Sequence, residues 1–168
     1  YYEVPYKAAL ILEKELEAER IKDEEKNWEQ LANAWLSARE WTKAIPPLTK
    51  AAEMSEDGGL FLRLGQTYMQ EEDWKNAEKN IRYAIKKGDL DNPGRAWLLL
   101  GITRNKKGIK FENSALFAFK RSTGYDDMEA DARRWVKVIE AKQARREADR
   151  LAAEAAEAEL ADDTIYFN

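Results

Sequence analysis

The feature that most constrains this chain is a pattern of large rings and small residues that returns about every 34 residues. Trp28-x2-Leu31-Ala32-x2-Trp35 is followed by Trp41-x2-Ala44, then by Leu48 and Ala51. The frame reappears as Phe61-x2-Leu64-Gly65-x2-Tyr68, Trp74-x2-Ala77, Ile81 and Ala84, and a third copy opens as Trp97-x2-Leu100-Gly101. Within each copy the apolar positions recur every three or four residues, the period of an amphipathic helix. Each copy therefore reads as a hairpin of two helices, A and then B, with small residues where the two approach. A unit this short cannot bury its apolar face alone, so successive copies must stack.

The period and the frame resemble the tetratricopeptide (TPR) repeat. The expected fold is all-α: a TPR superhelix, or solenoid, of about three repeats, with an N-terminal half-repeat helix, a C-terminal capping helix and a long charged helical extension. Such a fold usually supplies a binding groove and no reaction. Composition agrees. The 168 residues include neither Cys nor His, which removes thiolate and imidazole catalysis, disulfides and nearly all zinc sites. No Gly-rich phosphate loop and no calcium-loop motif is present, so no cofactor is expected. A net charge of −4 and a pI near 5.2 give no footprint for nucleic acid. No stretch is apolar over the roughly 18 residues that a membrane span requires.

Residues 1–25 are expected to hold the half-repeat. Pro5 suits the first helical position, and Ala8, Ala9, Ile11, Leu12 and Leu16 follow at helical spacing over residues 6–19. In the repeat frame this is a B helix, with Tyr1 to Val4 as the end of its A partner. A chain that opens halfway through a hairpin is expected to be a piece of a longer array; an N-terminal capping helix is the alternative. Repeat one covers 26–58, repeat two 59–92 and a degenerate repeat three 93–126. A capping helix over 127–143 and an Ala-rich charged extension and tail over 144–168 complete the chain.

Pro46 and Pro47 fall in the first turns of helix B of repeat one, where proline is tolerated. Gly88 reads as a helix C-cap, and Asn92 as an N-cap ahead of Pro93 at the first helical position. In repeat three, Arg104 stands where Trp35 and Tyr68 stand in the earlier copies, and the turn at residues 106–110 holds one or two extra residues. Met128, Ala132, Trp135, Val138 and Ile139 should seal the last hairpin. The six tryptophans all occupy frame or cap positions and are expected in the core. Beyond Lys142, Ala144, Ala148, Leu151, Ala155 and Ala158 form a thin heptad stripe. Alanine buries little, which favours a solitary solvated helix over a coiled coil. Glu154, Glu157, Glu159, Asp162 and Asp163 oppose the macrodipole near its C-terminal end, so fraying is expected beyond about Leu151. Ile165, Tyr166 and Phe167 form an apolar tag: a disordered tail, or a linear motif that docks in a neighbouring groove and gives self-association through the C-terminal helix or tail.

In a TPR stack the A helices line the concave face, and offsets from the first ring of each repeat place the groove. Repeat one offers Glu29, Asn33, Leu36 and Ser37. Repeat two offers Leu62, Arg63, Gln66, Met69 and Gln70, and repeat three Arg95, Leu98, Ile102 and Asn105. Amides mixed with Leu, Met and Ile suit an extended or helical peptide, whose backbone the amides hold while its side chains make apolar contacts. The plainer alternative is a set of solvated helix faces. A basic clamp for a C-terminal carboxylate is disfavoured, because Glu29 stands at its first position and Arg95 lacks basic company.

Five segments taken together carry a narrower likeness: Tyr2 to Ala9, Asn27 to Trp35, Lys43 to Leu48, Lys86 to Gly94 and Ala132 to Trp135. In this order they resemble the C-terminal part of the periplasmic TPR proteins that accompany TonB–ExbB–ExbD systems in Gram-negative bacteria. The likeness covers about residues 1–142. It implies a periplasmic, non-enzymatic adaptor that contacts TonB, ExbB or ExbD components and assists TonB-dependent uptake, such as iron–siderophore import. It assigns no contact residues. A TPR scaffold for another envelope or secretion assembly, and the interaction module of a larger protein whose active part lies elsewhere, stand beside it.

Overall fold

The structure is a computed structural model. It describes the backbone over residues 3–166 and side chains over residues 3–159. Eight α-helices follow in order: α1 Glu3–Glu17, α2 Glu25–Ser37, α3 Trp41–Met54, α4 Gly59–Gln70, α5 Trp74–Lys87, α6 Pro93–Lys106, α7 Glu112–Ser122 and α8 Glu129–Tyr166. A 3-10 turn, Ile109–Phe111, precedes α7, and no strand occurs among the described residues. Three hairpins, α2–α3, α4–α5 and α6–α7, stack in sequence order, with α1 at one end and α8 on α7 at the other.

Each packed cluster joins only neighbouring helices, as expected of a solenoid. Ala9, Leu16, Leu31, Trp35 and Ala44 unite α1, α2 and α3. Ala32, Leu48, Ala51, Ala52, Leu60 and Leu64 unite α2, α3 and α4. Ile81, Leu100 and Ala118 carry the core across α5, α6 and α7, and Ala115, Phe119 and Ile139 extend it to α8.

Small residues set the helix spacing. A Cβ on Gly65 would lie 2.6 Å from Ile81 Cγ1, and one on Gly101 would lie 2.5 Å from Phe119 Cε1. The caps are those expected. Asn92 accepts from the Arg95 amide ahead of Pro93, and Gly88 ends α5 at φ +83°. Asp73 caps α5 by accepting from the Asn76 amide. This bond, more than any other contact, holds the Asp73 carboxyl below its usual value.

Several expectations are corrected. Glu3 and Val4 belong to α1, so Pro5 is its third residue, not its first, and Val4 does not close an upstream helix; Tyr1 and Tyr2 lie outside the described residues. Of the apolar set on α1, Ala9 and Leu16 are buried and Leu12 half-buried, while Ala8 and Ile11 face solvent. Pro46 and Pro47 are the sixth and seventh residues of α3, past the turn whose N–H groups are free anyway. They remove the donors that the Thr42 and Lys43 carbonyls would otherwise receive. Both of those residues are exposed, so water can take the vacant place. Only Trp35 among the tryptophans is fully buried. Trp28, Trp97 and Trp135 lean against the clusters, and Trp41 and Trp74 are half-buried first residues of B helices.

The turns α2–α3 and α4–α5 take three residues each (38–40 and 71–73), whereas α6–α7 takes five (107–111). The two extra residues are absorbed by Gly108, at φ +105°, and the 3-10 turn. Arg104 then does the work of the missing aromatic by another chemistry. Its guanidinium donates to Glu78 of α5 at 2.9 Å and to the Ser114 carbonyl of α7 at 3.0 Å, so one side chain links three helices.

The capping helix and the extension form one 38-residue helix with no break at residue 143. Ala132 and Ile139 are buried, and Trp135 stacks on Phe119 at 5.3 Å with the rings nearly parallel. Gln143 donates to Asn113 and Arg146 pairs with Glu112, so α7 is gripped well past the expected boundary. Residues 147–159 are all exposed. The helix continues past Leu151, a stretch whose fraying is a matter for amide exchange, and the side chains of the Ile165–Phe167 tag lie outside the described residues.

Candidate functional site

The two walls of the solenoid differ. On one side α4 packs directly on α6, and Arg63 of α4 reaches back to α2. No two B helices pack on each other to that degree. The A helices therefore form the tight inner wall, and the B helices splay outward.

On the inner wall the predicted residues divide into two groups. Glu29, Asn33 and Arg63 come together at the α2–α4 boundary. Arg63 Nη1 donates to Glu29 Oε1 at 2.6 Å, and its second amino nitrogen donates to the Asn33 amide oxygen. Both charged side chains are one-third exposed, at 34%. One of the amides expected to hold a peptide backbone, Asn33, is thus already bonded within the wall, and so are its groove companions Glu29 and Arg63. The Glu29 carboxylate also balances the only charge there that could attract a ligand carboxylate, in keeping with the absence of a basic clamp.

The second group is apolar. Leu98 and Ile102 of α6 lean on the Phe119–Ile139 cluster while keeping part of their surface open. With Asp131, Arg134, Trp135 and Val138 of α8 they enclose a hollow of about 560 Å³. Val138 is 44% exposed there, an apolar side chain presented to solvent. The α8 residues were read from the sequence as a seal, not as part of a groove. The available signal was their spacing, since Asp131, Trp135 and Val138 lie four and three residues apart on one helical face.

The remaining candidates take intermediate roles. Leu36 packs with the Trp35 cluster, and Leu62 and Met69 with the Ile81–Leu100 cluster, so much of their apolar surface is committed to joining repeats. Ser37, Gln70 and Arg95 are exposed, and Gln66 and Asn105 half-buried. Among the described residues no group of acidic side chains could hold a metal ion and no helix is long and apolar enough to cross a membrane.

A larger hollow, about 870 Å³, lies on the outer wall between α5 and α7, with α6 as its floor. Glu78 sits at its inner edge, where it accepts from Arg104 and from Lys107 Nζ at 2.5 Å. Burial pushes the Glu78 carboxyl upward, but the bonds from Lys107 and Arg104 outweigh that and hold it below its ordinary value.

Stacked antiparallel hairpins with an A-helix inner wall make this an all-α helical-repeat solenoid with a TPR-like fold. Two solved structures share the fold. MamA superposes with a TM-score of 0.68 at 17% identity, covering 85% of this chain and 81% of its own. YrrB, described as a TPR protein with an unusual peptide-binding site, also has a TM-score of 0.68, at 23% identity, covering 86% of this chain and 72% of its own. At these identities the likeness is one of fold. No protein-family model and no curated protein matches the sequence.

Proposed function

We propose that this chain is a non-enzymatic protein-interaction scaffold that holds a peptide segment of its partner along the inner wall. The observation that carries the reading is the hollow formed by Leu98, Ile102, Trp135 and Val138, whose Leu98 and Ile102 stand at the same repeat offsets as Glu29 and Asn33 of the polar cluster. An amphipathic segment would seat an apolar side chain in the hollow and meet hydrogen-bonding groups further along. YrrB, a protein of the same fold, is described as having a peptide-binding site.

The narrower reading is a periplasmic adaptor assisting TonB-dependent energy transduction and iron uptake. It rests on the five sequence segments that resemble TonB-associated TPR proteins. The fold likeness by itself supports only the wider reading, a protein-interaction scaffold; a TPR scaffold for another envelope or secretion assembly stands beside the TonB reading as an alternative. A pull-down with the periplasmic parts of TonB and ExbD tests both levels. Capture of one component, weakened by Ile102→Glu and by Arg63→Glu with Asn33→Ala, is the expected result. Capture unchanged by either variant would move the site off the inner wall, and failure with every TonB-system component would remove the narrower reading.

A further inference from the structure

We infer that the outer cleft between α5 and α7 receives the acidic C-terminal segment of a second copy of this chain. The cleft has two distinct walls. Lys75, Lys79, Arg82 and Lys86 follow one another at four, three and four residues, a single cationic stripe about 16 Å long on the exposed side of α5. No carboxylate among the described residues lies in ion-pair contact with any of the four. The Glu78 carboxylate beside them is taken up by Arg104 and Lys107. Across the cleft from the stripe, Phe117 of α7 is 57% exposed and meets Trp97 of the α6 floor edge-on at 6.1 Å, while Tyr83, 47% exposed, stands on α5 beside the stripe, under Lys79. An acidic protein thus carries a cleft with a cationic stripe on one wall and exposed rings within reach of it.

The same chain contains a segment with the complementary pattern. Residues 151–168 hold Glu154, Glu157, Glu159, Asp162 and Asp163 and no Lys or Arg, and they run into Ile165-Tyr166-Phe167. Charge and ring chemistry match in two independent respects. In the folded chain the segment points away from its own cleft. Residues 147–159 continue α8 as an exposed helix that leaves α7 after Arg146, and returning to α5 would require that helix to break. The donor is therefore another copy. Cleft and segment are different surfaces, so the contact is head-to-tail and extends into a ring or an open chain. Electrostatic attraction between the cationic cleft and the acidic helix end would steer encounter and make association salt-sensitive. This contact uses the outer wall, and the inner-wall groove could fail its own test without touching it.

A fluorescein-labelled peptide of residues 151–168 titrated into the full chain, with sedimentation velocity across a concentration series, tests the inference. The peptide should bind, and Lys79→Glu with Arg82→Glu should weaken it at least about tenfold. The unmodified chain should grow in average mass with concentration and lose that growth in high salt. The same cleft variant should instead bind a labelled peptide of residues 151–168 carrying Glu154→Lys, Glu157→Lys and Glu159→Lys, a charge-swapped recognition that a misfolded variant could not show. Peptide binding unaffected by the cleft variant would overturn the assignment, as would a chain that stays monomeric throughout. Equal binding of poly-glutamate or of a single-stranded oligonucleotide would also overturn it, showing a general polyanion surface.

Discussion

Glu78→Gln isolates the interaction that replaces an aromatic side chain in the third repeat. The carboxylate lies 2.9 Å from Arg104 Nε and 2.5 Å from Lys107 Nζ, and the three side chains are 14%, 15% and 20% exposed. Pairs at the surface contribute about 0–1 kcal/mol, and removing one partner of a fully buried pair costs about 3–5 kcal/mol. Glu78 falls between these limits. Its amide analogue still accepts a hydrogen bond but leaves two cations facing each other, so a loss of about 2 kcal/mol is expected at neutral pH. Arg104→Met should cost a similar amount, since it also gives up the bond to Ser114. The two changes share one interaction and should combine to less than their sum by about 1 kcal/mol or more. Urea denaturation followed by circular dichroism measures all three variants. The acid limb supplies a second check. The folded Glu78 carboxyl titrates below its ordinary value of 4.5, so the unfolded chain takes up its proton first as pH falls. The stabilisation is complete above that ordinary value and disappears as pH drops through the lowered one. The gap between the parent chain and Glu78→Gln should therefore narrow below about pH 4.5. A neutral-pH difference under about 0.5 kcal/mol, or a gap that persists in acid, would refute the network as the substitute for the missing ring.

Gly101→Ala should destabilise the chain by about 1–3 kcal/mol, because the new Cβ would lie 2.5 Å from a Phe119 ring that is buried and stacked on Trp135. That exceeds the gain of about 1 kcal/mol in helix propensity, and a higher denaturation midpoint would show that the α6–α7 spacing can relax. In dilute solution, amide exchange should be slow where α8 packs on α7 up to Arg146 and fast over residues 147–159, which touch no other helix. Protection over 147–159 at low concentration would show that this stretch packs within its own chain.

Much of the architecture can be read before any coordinates. The ring-and-small-residue frame names the hairpins, Asn92-Pro93 and Gly88 mark helix ends, and the absence of Cys and His narrows the chemistry. These signals are local: they depend on residues three, four or seven apart on one helix. The inner-wall list is legible only as a set of offsets. The sequence leaves unsaid that Arg63 is occupied by Glu29, 34 residues away, or that Leu62 and Met69 are spent on joining repeats. The proline pair shows a local limit as well, since two residues of uncertainty in the start of α3 decide whether Pro46 costs a hydrogen bond.

By itself, the sequence determined that this protein is a stack of antiparallel helix pairs, because helical periodicity and the demand to bury rings operate within each short stretch. Tertiary structure alone decided which wall is tight and which is splayed, how Arg104 takes the place of a ring, and that α8 lines the inner hollow while residues 147–159 stay exposed. Those outcomes depend on how one repeat is rotated against the next. That rotation is set by contacts between residues roughly one repeat apart, and no local pattern encodes it.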